Sequence, residues 1–394
     1  MAKSSSSVGT VVGEKPAFGS RFLTSEVDVW SQSAWDHVPL PDDKVGLIAA
    51  SLERQRLNPV PEAAKQKYNS TPSKYWNDFY ASNSNNFFRD RKWLPLEFPD
   101  LLAAAEAEAG EKVVVEIGCG AGNAVFPLLS SNRNPLLHLV ACDYASKAVK
   151  VVQQNPLYLN PPIGKITASV WDLTSTESLP NGVTPGSVDI IVLIFVLSAL
   201  NPSEWNAALS NIYTVVLNSC GQMLKPNGLV LLRDYGRHDL TQLRFKDHRL
   251  LDENFYIRGD GTRVYFFHID DLARLFTGSS CHSDQVLVTE SAEAESDDGC
   301  FPPVPQVQTP EETGVALDPY LPDSGTDPAP ASEVTITLAG IPVRISHPLF
   351  AINQLGVDRR LLVNRKRQLK MYRVWMQGQF RKIERSGEKV GGEQ

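Results

Sequence analysis

The stretch Val113–Asn123, VVVEIGCGAGN, joins an apolar run to three glycines spaced two residues apart. Val113–Ile117 predicts a buried β-strand, and Gly118, Gly120 and Gly122 predict a loop that lets the backbone approach a ligand closely. A strand, a glycine-rich loop and a following helix are typical of nucleotide-type sites in open α/β sheets. The stretch therefore predicts both the fold class and the position of a cofactor site.

Further apolar runs follow this stretch at intervals that suit alternating strands and helices. The predicted strands are Leu137–Cys142, Ile166–Val170, Val188–Leu193 and Leu229–Arg233, and the predicted helices are Ser146–Gln154 and Pro202–Val216. The turn Lys225-Pro226-Asn227-Gly228 is expected to introduce the last of these strands. Near-continuous apolar strands separated by helices predict a parallel sheet that is covered on both faces.

The spacing of the glycines distinguishes between cofactors. A dinucleotide fingerprint requires glycines at relative positions 1, 3 and 6, whereas here Asn123 occupies the sixth position. Glu116 would repel a pyrophosphate, but it suits the sulfonium and ammonium groups of S-adenosylmethionine. The predicted cofactor is therefore S-adenosylmethionine.

Two aspartates at the ends of the next two strands support this interpretation. Asp143 could accept the ribose hydroxyls, and Asp172 could accept the adenine amino group while Leu173 packs against the ring. Each aspartate alone could equally be a helix N-cap. Together with Glu116, they place three acids at successive strand ends behind the glycine loop.

The charge of the chain is unevenly distributed. The formal net charge is −7, but residues 275–343 contain no Lys or Arg and twelve acidic residues. Without these acids the chain would carry a net charge of +5, so an acidic segment masks a mildly basic remainder. The five scattered cysteines show neither a disulfide framework nor metal-ligand spacing, which favours a reducing compartment and predicts no metal.

Composition divides the chain into five predicted regions. These are a disordered tail (1–17), an aromatic and basic region with helices broken at Pro59, Pro61 and Pro72 (18–110), the cofactor-binding core (111–276), a largely disordered acidic Pro-rich insertion in which order resumes near Val334 (277–340), and basic strands with a short tail that complete the core (341–394). No apolar run is long enough for a membrane span, and the N-terminus has no secretory signal, so a cytoplasmic location is expected.

The segment Asn160-Pro161-Pro162-Ile163 is similar to the tetrapeptide of amino-group methyltransferases. That tetrapeptide belongs at the end of the fourth strand, whereas this copy precedes the third. A rigid loop is therefore the better interpretation.

Motifs flanking the core closely resemble the tRNA 3-methylcytidine methyltransferases, and two of them resemble the branch that includes the fungal threonine-tRNA enzymes. The family motifs are Lys74–Tyr80, Asn86–Leu94, Glu97–Pro99, Glu116–Asn123, Leu193–Ala199, Arg233–Gly236, Glu253–Tyr256 and Arg258–Phe267, and the branch motifs are Phe18–Leu23 and Val357–Arg365. The resemblance implies a Rossmann-like class I methyltransferase fold with a mostly parallel seven-stranded sheet. It also implies methylation of N3 of cytidine 32 in the anticodon loop of threonine or serine tRNAs.

The resemblance and the residue chemistry together suggest three groups of site residues. Expected at the cytidine are Arg233, Asp234 and Arg258. Expected at the cofactor are Trp76, Tyr80, Glu116, Gly118, Gly120, Gly122, Asn123, Asp143, Asp172, Leu173 and Ile194. Expected at the RNA are Phe87, Phe88, Arg89, Arg91, Lys92, Trp93, Arg359, Arg360, Arg365 and Arg367, with Lys366 and Lys370 in the same basic run. Core packing, structural ion pairs or a solvated basic face are the alternatives for these residues.

Two other functions remain open from the sequence alone. The same fold could serve a methyltransferase acting on a protein or small molecule, or an inactive RNA-binding adaptor. Family members differ in whether they need a protein partner such as an aminoacyl-tRNA synthetase. The sequence does not identify the tRNA isoacceptors or the role of the insertion.

Overall fold

The computed structural model describes residues 21–91, 93–175, 178–213, 223–280, 332–338, 341–347 and 350–383. The strands are β1 (Ala34–Asp36), β2 (Lys112–Ile117), β3 (Leu137–Asp143), β4 (Lys165–Val170), β5 (Val188–Ile194), β6 (Leu224–Tyr235), β7 (Leu250–Asp252), β8 (Phe255–Ile257), β9 (Arg263–Tyr265), β10 (Ser332–Leu338), β11 (Ile341–His347), β12 (Phe350–Asn364) and β13 (Leu369–Lys382). The helices are α1 (Val45–Leu57), α2 (Glu62–Ser70), α3 (Pro72–Asn83), α4 (Leu94–Glu97), α5 (Pro99–Ala104), α6 (Val125–Ser131), α7 (Ser146–Gln153), α8 (Pro156–Leu159), α9 (Trp205–Tyr213), α10 (Leu240–Leu243) and α11 (Ile269–Thr277).

The central sheet has the spatial order β1-β12-β13-β6-β5-β2-β3-β4. The strands from β4 to β6 pair in parallel, whereas β13, β12 and β1 are joined to this group by antiparallel pairings. The predicted Rossmann-like α/β class is confirmed. In the described residues the sheet nevertheless has eight strands rather than seven, because the short β1 from the N-terminal region pairs with the edge of β12.

The two faces of the sheet bury separate apolar clusters because successive strand residues point to opposite sides. On β2, Val114 packs with α5, α6 and α7, whereas Val115 packs with α9 and α11. This double coverage explains why the parallel strands are apolar throughout.

The strand predictions agree with the structure except at β6. This strand begins at Leu224, so the predicted turn 225–228 lies inside it. The pairing of β5 with β6 shifts register there, and Asn227 has a φ of 61°. The turn sequence therefore forms a bulge within the strand.

The prolines of the N-terminal region act as predicted. Helix α1 ends before Pro59, α2 begins after Pro61, and α3 begins at Pro72. Proline fits the first turn of a helix because the missing N–H has no intrahelical partner there. The segment 160–163 forms a loop between α8 and β4, also as predicted.

Within the predicted insertion 277–340, β10 begins at Ser332 and pairs with β11, close to Val334, where order was expected to resume. Of the predicted helix Pro202–Val216, the structure describes a 3-10 turn and α9 up to Tyr213. The predicted tail 1–17 and residues 281–331 lie outside the described residues. Among the described helices, none has both the length and the apolar character that crossing a membrane requires.

Candidate active site at the carboxyl edge of the sheet

A cavity lies where the carboxyl ends of the parallel strands meet, beside α3 and the residues that follow it. This is the edge at which open α/β sheets bind their ligands. The residues predicted for the cofactor that line it are Trp76, Tyr80, Glu116, Gly118, Gly120, Asn123, Asp143, Asp172, Leu173 and Ile194.

The glycine loop needs glycine for both conformation and space. Gly120 has a φ of +54°, and a Cβ there would lie 2.3 Å from the Tyr80 hydroxyl oxygen. Gly118 has a φ of +66°, and its Cβ would lie 2.7 Å from Val196. Side chains at either position would collide with the cavity wall, so the loop forms a cradle of bare backbone.

Gly122 does not line this cavity, unlike the other two glycines. Its φ is +84°, and a Cβ there would meet the Phe126 ring at 2.3 Å. The glycine allows the loop to turn tightly into α6, and its predicted place at the cofactor stays a prediction.

Asp143 connects the glycine loop to the end of β3. Its carboxylate accepts hydrogen bonds from the backbone N–H of Gly120 at 3.0 Å and of Ala145 at 2.8 Å. Burial raises the pKa of Asp143 to about 6, although both backbone donors oppose this shift. A carboxylate has about four acceptor positions, so Asp143 can hold the loop and still accept from a ribose.

Asp172 is more exposed and follows the end of β4. One of its oxygens, Oδ1, accepts from the backbone N–H of Thr174 at 2.8 Å and from its hydroxyl at 2.7 Å. The adjacent Leu173 is buried and lines the same cavity. Oδ1 of Asp172 thus stabilises a turn, no described helix begins directly after it, and the residue also lines the cavity.

Glu116 is buried at the end of β2 and accepts a hydrogen bond from the backbone N–H of Val125 at 3.0 Å. Burial raises the pKa of this carboxyl to about 8, and the nearby Arg91 guanidinium opposes the shift most strongly. The acid therefore supports the start of α6 and also faces a cavity-lining cation.

An aromatic wall closes the cavity on the side of α3. Trp76 and Tyr80 stack with their ring centroids 6.1 Å apart, and Phe79 contacts both Phe87 and Phe88. Phe87 is 59% exposed, so it can present a ring face to a ligand that enters from solvent.

The opposite rim consists of two aromatic rings that are each flanked by an arginine. Phe195 follows β5 and Tyr235 ends β6, with their centroids 4.7 Å apart. The Arg91 guanidinium lies 5.1 Å from the Phe195 ring, and that of Arg258 lies 5.4 Å from Tyr235. Arg258 thus lines the cavity, as its predicted role at the cytidine requires.

These features fit S-adenosylmethionine. The bare glycine cradle admits a ligand against the backbone, and acids at three neighbouring strand ends suit ribose hydroxyls and positive charge. No group of three metal-ligating side chains occurs in the part of the chain that the structure describes.

Arg233 is not among the described residues that line the cavity, and its predicted place in the cytidine pocket stays a prediction. Its guanidinium is buried and donates to Asp358 and to Gln377. Two indole rings cover it, those of Trp93 and Trp375, each centred 4.9 Å away. Arg233 is therefore a buried structural cation, and the Trp93 ring covers it, while the predicted stacking of Trp93 on RNA stays a prediction.

Asp234 is fully buried one layer beneath the rim. It accepts from the backbone N–H of Ser198 at 3.0 Å and of Tyr235 at 2.9 Å. Burial raises the pKa of Asp234 to about 6. Because Ser198 and Tyr235 line the cavity, Asp234 positions the rim through these two residues, and its predicted direct role at the cytidine stays a prediction.

The predicted RNA-binding arginines fall into two groups. Arg360 forms ion pairs with Asp358 at 3.1 Å, Asp36 at 3.5 Å and Glu97 at 3.6 Å, and its predicted contact with RNA stays a prediction. Arg359 is half-buried. The exposed cations Arg365, Lys366, Arg367 and Lys370 lie at and beside the β12–β13 turn.

The remaining predicted RNA residues lie around the segment after α3. Phe87, Phe88 and Arg91 line the cavity, whereas the exposed Arg89 lines a neighbouring groove. Lys92 lies outside the described residues.

Sequence reasoning missed several cavity residues, among them Phe79, Tyr144, Trp171, Phe195, Val196, Ser198, Tyr235, Asp260 and Thr262. Many directly follow or adjoin a residue that was predicted. Their position just beyond a strand end was the available signal.

Comparisons with known proteins agree with this site. A family model described as a methyltransferase domain matches residues 115–230. The chain is 39% identical to tRNA N(3)-methylcytidine methyltransferase trm140 of Schizosaccharomyces pombe, over 93% of this chain and 92% of that protein. It is 35% identical to tRNA N(3)-cytidine methyltransferase METTL2 of Danio rerio, over 94% and 90%.

A longer relative occurs in Saccharomyces cerevisiae. The chain is 40% identical to its tRNA(Thr) (cytosine(32)-N(3))-methyltransferase, over 92% of this chain but only 45% of that protein. The chain thus spans about half the length of this relative.

Cofactor affinity should depend on pH through Asp143. The Asp143 carboxylate must be ionised if both of its oxygens are to accept hydrogen bonds from the backbone and the ribose. Its pKa is about 6. Affinity for S-adenosylhomocysteine should therefore fall as the pH is lowered from 7 to 5, by up to about tenfold per unit below the pKa. Calorimetric titration would measure this. Asp143→Asn should bind more weakly and with a shallower pH dependence, and an unchanged slope in that variant would assign the dependence to another group.

Removing Asp358 should leave the buried Arg233 charge without its acid. Asp358→Ala should lower the free energy of unfolding by about 3–5 kcal/mol, measured by urea denaturation. The double variant Arg233→Met, Asp358→Leu removes both charges and should be less destabilised than Asp358→Ala. A cost below about 1 kcal/mol for Asp358→Ala would contradict the structural role of this pair.

Proposed function

Because this chain belongs to the tRNA N(3)-methylcytidine methyltransferase family, with 39% identity across 92% of the fission yeast relative, we propose that it methylates N3 of cytidine 32 in the anticodon loop of threonine or serine tRNAs. S-adenosylmethionine is the methyl donor. The observation that carries the proposal is one cavity in which a glycine cradle with strand-end acids faces an aromatic rim flanked by arginines.

The reaction places modest demands on the side chains. Cytosine N3 has a free lone pair at neutral pH, so no strong general base is needed. The cofactor supplies a methyl group on a positively charged sulfur. The protein must therefore bring N3 into line with the methyl–sulfur bond, and such orientation contributes a large share of the rate. Phe195 and Tyr235 offer ring faces to the base, and Arg258 offers a donor beside Tyr235.

The base must leave the anticodon-loop stack to enter this cavity. Phe87 is the exposed member of the aromatic wall and is the proposed stacking surface at the entrance. Arg89, two residues later, is exposed and available to a phosphate.

The β12–β13 hairpin is the proposed contact with the tRNA backbone. The last pair between β6 and β13 joins Tyr235 to Trp375, so the hairpin residues 361–373 extend past the end of β6. Its turn carries the exposed Arg365, Lys366 and Arg367 on the cavity side of the sheet. Clustered exposed cations at this edge suit an RNA backbone.

A protein partner such as an aminoacyl-tRNA synthetase and a cytoplasmic location complete the proposal. Both follow from the family resemblance rather than from a described contact.

The substrate is tested by transfer of radiolabel from S-adenosylmethionine to purified threonine, serine and arginine tRNAs. Label should enter tRNA with cytidine at position 32, should be lost when that base is uridine, and should be lost in Asp143→Ala. Intact cofactor binding without transfer to any of these tRNAs, with and without the matching synthetase, would contradict the proposal.

The hairpin is tested with the double variant Arg365→Ala, Arg367→Ala. Its tRNA affinity should fall, and the dependence of log affinity on log salt should become shallower by about one to two units because two phosphate contacts are removed. Lys165→Ala with Arg381→Ala removes two exposed cations at the opposite edge and is the matched control. Equal salt slopes in both double variants would exclude the hairpin from the RNA contact.

A further inference from the structure

Arg91 is a cation held against the glycine loop. Its backbone N–H donates to the carbonyl oxygen of Asn123 at 2.7 Å, which attaches the segment after α3 to the end of the loop. Its guanidinium lines the cavity and lies 5.1 Å from the Phe195 ring. The predicted phosphate contact would instead require this group at the surface.

The closest electrostatic partners of Arg91 are inside the cavity. Burial lowers the pKa of Arg91, and Glu116 opposes this more than any other group, followed by Tyr235 and Tyr80. Arg91 and Glu116 thus line the same cavity as a cation and an acid that attract each other, near the ends of β5 and β2 respectively. Such a pair matches a ligand that carries both an anion and a cation.

The order of the strands divides the cofactor between the two sides of the cavity. Asp143 and Asp172 follow β3 and β4, which lie on one side of β2. An adenosine bound to these acids leaves the methionine part of the cofactor on the other side, towards β5. That part carries an α-carboxylate and an ammonium group. Arg91, beside Phe195 after β5, lies on this side, and Glu116 lies on β2 between the two sides.

Arg258 also lines the cavity, but its Nη1 already donates within its own loop. Its guanidinium lies 3.4 Å from the Thr262 hydroxyl and 3.3 Å from the carbonyl oxygen of Arg263. It also faces the Tyr235 ring at the end of β6, one strand further from β2.

We infer that the Arg91 guanidinium binds the α-carboxylate of S-adenosylmethionine while the neighbouring Glu116 faces its ammonium group. Arg91 is thereby a cofactor-specificity residue and not a phosphate contact. The inference rests on the cofactor site and is independent of the proposed RNA substrate.

The test compares two ligands by calorimetric titration of the full chain without RNA. S-adenosylhomocysteine carries the carboxylate, and 5′-deoxy-5′-methylthioadenosine lacks the whole amino-acid part. Arg91→Met should weaken S-adenosylhomocysteine by about 10- to 100-fold, as expected for a lost hydrogen bond to a charged group. It should change the affinity for methylthioadenosine by less than about twofold, and Arg91→Lys should be intermediate for S-adenosylhomocysteine.

Arg89→Met is the matched control, because it removes a cation from the same segment outside the cavity and should leave both cofactor affinities unchanged. Equal losses for both ligands in Arg91→Met would show a merely structural role. If Arg91→Met keeps its affinity for S-adenosylhomocysteine but binds tRNA more weakly, the inference is wrong and Arg91 contacts an RNA phosphate. If Arg91→Met does not fold, the wild-type chain decides: it should bind S-adenosylmethionine at least about tenfold more tightly than its decarboxylated analogue, and equal affinities would overturn the inference.

Discussion

A buried cation at the end of β6 requires distant parts of the chain to meet. The Arg233 side chain is buried away from solvent, and an unpaired charge in the protein interior is strongly unfavourable. Asp358 on β12 supplies the opposite charge, while Trp93 and Trp375 supply the covering rings. The C-terminal hairpin and the segment before α4 therefore close around the same point, and the rim of the cavity is built directly above it.

The next residue, Asp234, connects this buried ion pair to the rim of the cavity. Its carboxylate holds the backbone of Ser198, which follows β5, and of Tyr235, which ends β6. Two strand ends are thus fixed relative to each other by one buried acid. The aromatic pair Phe195 and Tyr235 depends on that spacing, since rings 4.7 Å apart leave little tolerance for movement between the strands.

The sequence predicts what is local and periodic. Strand runs, proline breaks and the positions of Asp143 and Asp172 follow from alternation, chain stiffness and the meeting of parallel strand ends at one edge. It could not predict which cations are neutralised. Arg233 pairs with Asp358, and Arg360 pairs with Glu97, and in both pairs the partners lie more than a hundred residues apart in the sequence. Exposed and buried arginines look alike in a basic run until their partners are known.

Phe195 has a strained backbone conformation at the rim of the site. Its φ of 61° is unusual for a bulky residue and costs on the order of 1–3 kcal/mol. Its backbone N–H is nevertheless fixed by the carbonyl oxygen of Arg233 at 2.8 Å. Glycine would relax the strain but remove the ring. Selection for stability would therefore favour glycine at position 195, whereas selection for turnover would favour phenylalanine.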